Sequence, residues 1–213
     1  MIEAMRPFVK YTDMVKKPDE LRYILEKAVY IAREGRPGPS HIDLPIDMQM
    51  STVGEMVGFT PNPEKREVSL TPVFRAILEA RRPILIAGAG IRLAGAEDKF
   101  RKLVKKLGWP VCPSWAFADC LPDSDPNRMG LFGVYGNRGA NFAVQNADLL
   151  LTIGTRMDSR MTGKKEGFAR EAKIIMVDID RAETKNFDPD MPINIDAKDF
   201  IERMTAWLNS SLV

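Results

Sequence analysis

A run of apolar residues that ends in a glycine turn is the part of this sequence best suited to ligand binding. Residues 82–90 read Arg-Pro-Ile-Leu-Ile-Ala-Gly-Ala-Gly, which predicts a buried parallel strand and then a turn on Gly88 and Gly90 before a helix. Glycine lets the backbone approach a ligand closely, and the first amides of the next helix can bind an anion. Leu93 stands where the dinucleotide fingerprint requires its third glycine, so the run indicates either a nucleotide site or a plain strand-to-helix turn.

Glycines, an arginine and acids also follow the other predicted strands. In a parallel sheet the carboxyl ends of the strands share one edge, where ligands bind. Backbone amides and Arg156 could hold a pyrophosphate there, and an acid could accept ribose hydroxyls. The alternative is that Arg156 and Asp158 pair with other loops, but the strand ends taken together favour a ligand cleft. The residues concerned are Gly88, Ala89, Gly90, Ser114, Trp115, Ala116, Gly154, Thr155, Arg156, Asp158, Asp178, Ile179 and Asp180.

Composition argues against several other kinds of chemistry. The single histidine, His41, leaves little scope for a histidine-based triad or a zinc site. Cys112 and Cys120 stand in no metal-binding spacing and predict reduced thiols in a cytoplasmic protein. A net charge of +2 indicates neither nucleic acid nor a membrane as partner, and no apolar stretch approaches the length of a membrane span. We therefore expect no metal site in the chain.

The N-terminal third predicts part of a domain followed by a linker. A helical pattern begins at Lys17-Pro18-Asp19 and ends before Gly35, and a short strand follows at 41–44. One helix and one strand cannot bury their apolar faces alone, so residues 1–47 should pack on other sequence. Residues 48–70 carry prolines, glycines and mixed charge without a sustained period, which is typical of a linker.

Residues 71–213 alternate apolar strands with helices, which predicts one α/β domain. The amphipathic helix at 96–107, with Phe100 and Leu103 on its apolar face, is typical of this class. The pattern predicts a doubly wound, mostly parallel, Rossmann-like sheet with helices on both faces. Strands are predicted at 84–87, 109–112, 147–153, 173–178 and 192–195, and helices at 72–80, 96–107, 137–146 and 197–208.

Several stretches carry a resemblance to a known family. Residues 35–45, Gly-Arg-Pro-Gly-Pro-Ser-His-Ile-Asp-Leu-Pro, resemble the end of the pyrimidine-binding domain of thiamine diphosphate (ThDP) enzymes. Residues 82–90, 147–156 (Ala-Asp-Leu-Leu-Leu-Thr-Ile-Gly-Thr-Arg) and 175–180 (Ile-Met-Val-Asp-Ile-Asp) look like the central domain of that family. Two further stretches are similar to the acetolactate synthase large subunit, namely 133–143 (Gly-Val-Tyr-Gly-Asn-Arg-Gly-Ala-Asn-Phe-Ala) and 160–164 (Arg-Met-Thr-Gly-Lys).

The resemblance implies a parent enzyme of three α/β domains, of which this chain holds the tail of the first and the whole second. In that family the first domain supplies an activating glutamate, and the third carries a Gly-Asp-Gly motif for Mg²⁺ and diphosphate. We find neither in this sequence, so we expect a fragment that has no catalytic residue of its own and is inactive alone. The resemblance implies a homo-oligomeric parent that acts on 2-keto acids as a transferase or lyase, while the fragment is compatible with a monomer.

The family also implies a role for the central domain, which holds FAD in acetolactate synthases and ADP or nothing in decarboxylase relatives. Val134, Tyr135 and Gly136 would lie on the loop near the isoalloxazine ring. Tyr135 stands where the synthases tend to have histidine, and Ile46 replaces a lysine beside the substrate channel, so the substrate and the bound nucleotide stay open. Motif matching places the flavin contacts on Arg36, Gly88, Ala89, Gly90, Ser114, Trp115, Ala116, Gly154, Thr155, Arg156, Asp158, Asp178, Ile179 and Glu183.

Three functions therefore remain. The first is the central-domain part of a ThDP-dependent, acetolactate synthase-like carboligase or decarboxylase, in which these residues position FAD or ADP, space the outer domains and line the channel. The second is a freestanding nucleotide-binding or interaction module without catalysis. The third is a structural domain that binds nothing. An ordinary dinucleotide-dependent oxidoreductase is disfavoured because the fingerprint is incomplete and no catalytic base is evident.

Overall fold

The chain divides into two units, Met1–Lys65 and Arg66–Val213, in a computed structural model. The structure describes residues 1–62 and 67–211. Residues 63–66 of the predicted linker, including Pro63, lie outside the described residues, and the domain boundaries stay a prediction. Within the two described ranges, no helix is both long and apolar enough to cross a membrane.

The first unit packs a helix on a pair of strands. Its elements in chain order are α1 (Ile2–Met5), β1 (Tyr11–Met14), α2 (Leu21–Arg33), β2 (Ser40–Asp43) and α3 (Ile46–Gln49). Strands β1 and β2 pair in parallel, with Thr12 opposite His41. The helical pattern predicted from Lys17 corresponds to a 3-10 turn at Pro18–Glu20 followed by α2, which buries Ile24 and Ala28. The prediction of a single strand was wrong, because β1 is short and half-buried along its whole length and shows no apolar alternation.

The second unit alternates strands and helices along the chain. Its elements are α4 (Thr71–Glu79), β3 (Pro83–Ala87), α5 (Gly90–Leu93), α6 (Glu97–Leu107), β4 (Val111–Pro113), α7 (Arg138–Gln145), β5 (Leu149–Ile153), α8 (Ser159–Thr162), β6 (Lys173–Val177), α9 (Arg181–Phe187), β7 (Met191–Ile193) and α10 (Ala197–Ser211). Every strand and helix predicted in this part is present. Helices α8 and α9 lie in stretches for which no helix was predicted, because elements this short do not establish a helical period in the sequence.

The strands of the second unit form one five-stranded parallel sheet in the order β4-β3-β5-β6-β7. This confirms the predicted α/β class with a parallel sheet. Strand β5 is buried along its whole length. Helices α4, α6 and α10 contribute to one apolar core, in which Phe100 and Phe200 are fully buried. Helices α7 and α9 contribute Val144 and Phe187 to a second core, so both faces of the sheet are covered.

The order of the strands creates a switch point between β3 and β5. From β3 the chain first adds β4 on one side, and it later returns to add β5 on the other. Connections therefore diverge beyond the carboxyl ends of these two strands, where open α/β sheets bind ligands. The outer edge of β4 is covered, because the Val111 amide donates to Asn127 at 2.7 Å and the Val111 carbonyl accepts from Met129 at 2.9 Å.

Candidate functional site

Three glycines bring the carboxyl ends of β3 and β5 into direct backbone contact. The amide of Gly88 donates to the carbonyl of Ile153 at 2.9 Å, and the amide of Gly90 donates to the carbonyl of Gly154 at 2.8 Å. A Cβ atom on Gly88 would lie 2.1 Å from the Gly154 carbonyl oxygen, and one on Gly90 would lie 2.6 Å from the Gly154 Cα. Gly154 also has a φ of +60°. A side chain therefore fits at none of these positions unless the backbone moves.

This contact also occupies three backbone amides of the glycine turn. The amides of Gly88, Gly90 and Ile91 donate to carbonyl oxygens of the protein, so these three groups are not available to an anion. Helix α5 has only four residues and leaves Leu93 67% exposed. The glycines here permit two strand-end loops to pack closely, which is a different reason for glycine than the approach of a phosphate group.

An ion pair joins the loop after β5 to helix α9. The Nε of Arg156 donates to both carboxylate oxygens of Glu183, at 2.9 and 2.8 Å, and Nη2 donates to one of them. The Glu183 side chain is 7% exposed, whereas that of Arg156 is 62% exposed. The hydrogen bond and charge of Glu183 raise the pKa of Arg156, and Asp158 and Asp180 add smaller contributions. The guanidinium is therefore a cation that is bound along one edge and open to solvent elsewhere.

The strand-end acids also stabilise the starts of helices. Asp158 accepts hydrogen bonds from two amides in the first turn of α8, at 2.9 and 3.2 Å. Asp180 accepts from an amide at the start of α9 at 2.8 Å, and Asp178 accepts from the amide of Asp180 at 2.9 Å. Helix capping of this kind is a common structural use of aspartate. The pairing that the sequence left as the alternative is thus present for Arg156, whereas Asp158 caps the helix that directly follows it.

Two exposed aromatic rings from different loops contact each other beyond the end of β4. Trp115 begins a one-turn 3-10 helix, and Tyr135 lies in the loop before α7. Their ring centroids are 4.4 Å apart with an interplanar angle of 63°, an edge-to-face contact. Trp115 is 51% exposed and Tyr135 is 64% exposed. Because most aromatic area is buried in folded proteins, this exposed pair indicates a surface that can stack on a flat ligand.

Two asparagines hold the loop that carries Tyr135. The side chain of Asn141 accepts from the Gly133 amide at 2.7 Å and donates to the Gly133 carbonyl at 3.1 Å. The side chain of Asn137 caps α7 and donates to a carbonyl of the loop at 2.8 Å. Sequence reasoning gave neither asparagine a role, although both stand in the Asn-Arg-Gly-Ala-Asn stretch that carried part of the resemblance.

The remaining residues predicted to contact the flavin differ in how buried they are and in which of the two units they belong to. Ser114 and Thr155 are buried, at 8% and 4% exposure. Arg36 is exposed on the loop after α2 in the first unit, whereas the other predicted contacts all lie in the second unit. Of the rest, Ala89 and Ile179 are half-buried and Ala116 is exposed.

A cavity of about 640 Å³ lies in the first unit, between α2 and the segment around Phe59. Phe59 packs on Tyr23 and Tyr30, with ring centroids 5.5 Å from each, although its stretch was predicted only as linker.

The His41 ring lies 3.1 Å from the Thr12 hydroxyl across the β1–β2 pair. No cluster of three His, Cys, Asp or Glu side chains that could hold a metal occurs in the described part of the chain.

The groups at the strand ends fit some portions of a nucleotide better than others. Carboxylates accept hydrogen bonds from sugar hydroxyls, and the rings of Trp115 and Tyr135 can stack on a flat heterocycle. A phosphate group needs cations or free amides, but the exposed Arg156 is already paired with Glu183, and the amides of Gly88, Gly90 and Ile91 already donate within the protein. The edge therefore matches the sugar and ring portions of a dinucleotide.

The chain is similar to a known protein family and to several curated proteins. Residues 70–204 match the family model for the thiamine pyrophosphate enzyme, central domain. A "Probable acetolactate synthase large subunit" of Methanocaldococcus jannaschii is 36% identical over 213 residues, covering 95% of this chain and 36% of the relative. A chloroplastic acetolactate synthase of Zea mays is 37% identical over 223 residues, covering 99% of this chain and 34% of the relative. The chain thus spans about a third of the length of these curated relatives.

A solved structure supports the same fold. A protein from Mycobacterium smegmatis, described as a thiamin diphosphate-dependent enzyme, matches with a TM-score of 0.75 over 96% of this chain and 40% of the other. The two sequences are 19% identical, so this likeness concerns the fold alone.

Proposed function

The chain belongs to the thiamine pyrophosphate enzyme family, and we propose that it is the central-domain part of an acetolactate synthase-like enzyme. The parent would act on 2-keto acids as a homo-oligomeric carboligase or decarboxylase. ThDP supplies the carbon nucleophile in such a reaction, and we place its site and that of Mg²⁺ in parts of the parent outside this sequence. The residues of this chain would bind a nucleotide and space the outer domains.

One observation carries the nucleotide-binding role, namely the groups that follow β4 and β5 on either side of β3. The exposed Trp115–Tyr135 pair lies in the connection after β4, and the exposed face of Arg156 lies in the loop after β5. Both connections leave the carboxyl edge of the sheet beside the switch point, where such sheets bind ligands. We propose that a flavin ring stacks on the aromatic pair and that the nucleoside lies beside Arg156.

ADP is the alternative ligand of this domain. Tyr135 stands where acetolactate synthases tend to have histidine. This substitution changes the aromatic pair proposed for the flavin ring and leaves the Arg156 loop unchanged. An ADP-binding domain would use the Arg156 loop and leave the aromatic pair free. A freestanding nucleotide-binding module, without any catalytic parent, would bind the same ligands.

Parallel titrations of the chain with FAD and with ADP test the proposal, followed by flavin fluorescence and by heat. We expect saturable FAD binding that weakens about tenfold in Arg156→Gln, because a charged hydrogen-bond donor is lost. Arg81→Gln is the matched control, since Arg81 is exposed and precedes β3 at the opposite edge of the sheet.

Each result assigns a different role. ADP binding without FAD binding would indicate that this central domain is of the type found in the decarboxylase relatives. Binding of neither ligand would overturn the nucleotide-binding role and leave a structural spacer. An equal loss of affinity in Arg81→Gln and Arg156→Gln would show that the titration reports net charge and not a site. A reading frame that extends by a domain on each side would favour the parent enzyme over the freestanding module.

A further inference from the structure

The segment that follows β4 and carries Trp115 has little regular structure of its own. Its only helical part is the single 3-10 turn Trp115–Phe117, after which the chain continues without a helix or strand. Phe117 and Cys120 are fully buried, whereas Trp115 is 51% exposed. Packing therefore fixes the inner side of the segment, and the position of the exposed ring depends on how the rest of the segment is held.

Three arginines from other parts of the chain hold this segment. Two of them, Arg101 and Arg128, donate to its main-chain carbonyls. The third, Arg92 of α5, binds a side chain instead. Its Nη2 donates to both carboxylate oxygens of Asp119, at 2.7 and 2.8 Å. None of the three arginines was among the residues that the sequence predicted for the site.

Arg92 joins more groups than the carboxylate of Asp119 alone. Its Nε donates at 2.9 Å to Glu97, at the start of α6, and its guanidinium carbon lies over the Phe117 ring, 5.1 Å from the centroid. An exposed ion pair by itself contributes little, but a guanidinium that binds two carboxylates and lies over an aromatic ring forms a network. Arg92 therefore holds the segment at two points, one of them in the same 3-10 turn as Trp115.

The Arg92–Asp119 pair connects the segment to the end of β3. Helix α5, which carries Arg92, begins at Gly90, the residue whose amide donates to Gly154 at the switch point. The hydrogen bond from Arg92 lowers the pKa of Asp119, and the hydrogen bonds to Asp119 and Glu97 raise the pKa of Arg92. Both partners are therefore charged at neutral pH, and the connection is in place there.

We propose that Arg92 is a positioning residue for the flavin ring, because it holds the turn in which Trp115 meets Tyr135. A side chain that is already held in its bound arrangement loses less conformational entropy when a ligand arrives. Arg92 then strengthens FAD binding without contacting the flavin. The inference rests on the proposed nucleotide-binding function and deepens it, since it names a residue that prepares the stacking surface.

A double-mutant cycle on FAD affinity tests whether Arg92 acts through Trp115. We expect Arg92→Gln to weaken FAD binding about threefold when Trp115 is present and to have almost no further effect in Trp115→Leu. Arg170→Gln is the matched control for net charge, since Arg170 is exposed in the turn before β6, and it should leave the affinity unchanged. An equal loss with and without Trp115 would overturn the inference, because Arg92 would then act on FAD by another route.

The indole N–H resonance of Trp115 reports the positioning without a ligand. The chain has three tryptophans, and Trp115→Leu identifies this resonance by its loss. The edge-to-face contact with Tyr135 gives the resonance a ring-current shift. Arg92→Gln should reduce that shift and broaden the resonance, and Arg92→Lys should have an intermediate effect, because lysine keeps the charge but not the planar fork. Asp148→Asn weakens hydrogen bonds before β3 instead, so it is the control for lost stability and should leave the resonance in place.

A second variant and two contrary results complete the test. If Arg92→Gln does not fold, Asp119→Asn weakens the same pair from the other partner and should give the same changes in affinity and resonance. A Trp115 resonance that both variants leave unchanged, or that Asp148→Asn changes equally, would overturn the inference and leave the proposed function intact. Absence of FAD binding to the wild-type chain would instead overturn the flavin-binding role, and with it the role of Arg92 in ligand binding.

Discussion

Gly90 and Gly154 touch backbone to backbone. The Gly90 amide donates to the Gly154 carbonyl at 2.8 Å, and an added Cβ on Gly90 or Gly154 would lie 2.6 or 2.7 Å from the Cα of the other residue. The contact joins the ends of two neighbouring strands at the switch point of the sheet. A substitution at either glycine should therefore lower the free energy of unfolding, and any change in ligand affinity would follow from that loss of stability.

Alanine at Gly154 is expected to be strongly destabilising. The residue has a φ of +60°, which costs about 1 to 2 kcal/mol for an L-residue, and its new Cβ would also collide with Gly90. We expect Gly154→Ala to lower the free energy of unfolding by about 4 kcal/mol. Gly90→Ala has the collision without the positive φ and should cost about 2 to 3 kcal/mol. Urea unfolding followed by circular dichroism measures both values.

Two other glycines separate these contributions. Gly95 has a φ of +61° with open space around it, so Gly95→Ala should show only the conformational cost of about 1 to 2 kcal/mol. Gly167 has open space and no left-handed φ, so Gly167→Ala should be neutral or stabilising by about 0.5 kcal/mol. Equal costs at Gly95 and Gly154 would contradict a tight contact between the strand ends.

Valine at Thr152 is expected to stabilise the chain. The Thr152 hydroxyl is fully buried in β5 and has no hydrogen-bond partner among the described residues. Valine has nearly the same shape and no hydroxyl to desolvate, so Thr152→Val should raise the free energy of unfolding by about 1 kcal/mol. Thr184→Val is the matched control and should cost about 1 to 2 kcal/mol, because the Thr184 hydroxyl contacts Arg181 and Asn194. Destabilisation by Thr152→Val would show that its hydroxyl is satisfied.

The buried thiols should make the chain less stable in alkali. Burial and the nearby Cys120 raise the pKa of Cys112 to about 12, and burial raises the pKa of Cys120 to about 11. An unfolded thiol loses its proton near its ordinary pKa of 9.0. The folded state then holds more protons, so the free energy of unfolding falls as pH rises above that value. We expect a loss of about 1 to 2 kcal/mol for each thiol between about pH 8 and about pH 10.

Urea unfolding at these two pH values, under reducing conditions, measures the effect. The double variant Cys112→Ala with Cys120→Ala is expected to be less stable at both pH values but to show a smaller decrease between them. The same decrease in both proteins would assign the alkaline loss to other groups.

The carboxylate of Asp148 should contribute to the free energy of unfolding at neutral pH, and this contribution should be lost in acid. Its carboxylate accepts from the amides of Arg81 and Arg82, at 2.7 and 2.8 Å, just before β3. Partial burial raises the pKa of Asp148, but these two hydrogen bonds and the charge of Arg82 outweigh it and hold the pKa below its ordinary value of 3.8. The contribution is therefore complete above that value and is lost as pH falls through the lowered pKa.

Asp148→Asn tests this contribution. An amide offers one acceptor oxygen where the carboxylate offers two, so the variant should lose about 1 to 2 kcal/mol at neutral pH. The difference from the wild-type chain should shrink as the pH approaches about 3. A difference that stays constant with pH would show that the charge of Asp148 is not involved.

Trp115→Leu should weaken flavin binding without unfolding the domain. The ring is half exposed, so its loss removes little core packing but does remove a stacking face. We expect FAD affinity to fall about fivefold, measured by quenching of flavin fluorescence. Phe142→Leu is the matched control, since Phe142 is 71% exposed on α7. An unchanged affinity in Trp115→Leu would place the flavin ring elsewhere.

The fold of the second unit could be predicted from its sequence because its strands are apolar runs separated by helical periods. The start of β4 was predicted too early, at Trp109. The backbone ladder begins later, since Pro110 has no N–H to donate, although its carbonyl accepts from Leu85 at 3.0 Å. The lateral order of the strands was not predicted, because alternation of strand and helix is compatible with several orders.

The candidate site was predicted in part. The glycine turn and Arg156 were identified, but the partners of their polar groups depend on residues distant in the sequence. Gly88 and Gly90 are glycines because of Gly154, and Arg156 is oriented by Glu183. No local pattern contains such information. The short helix α9, which positions Glu183, was also too brief to recognise from periodicity.

The position of β3 between β4 and β5 has a consequence for synthesis of the chain. β3 leaves the ribosome well before β5, so during translation it has β4 as its only neighbour in the sheet. Its other edge, Pro83–Ala87, is an apolar strand with unpaired amides and carbonyls until Leu149–Ile153 emerges. The nascent chain is therefore most exposed to wrong pairing in the interval between these two strands, and a chaperone that shields one apolar strand would act at that stage.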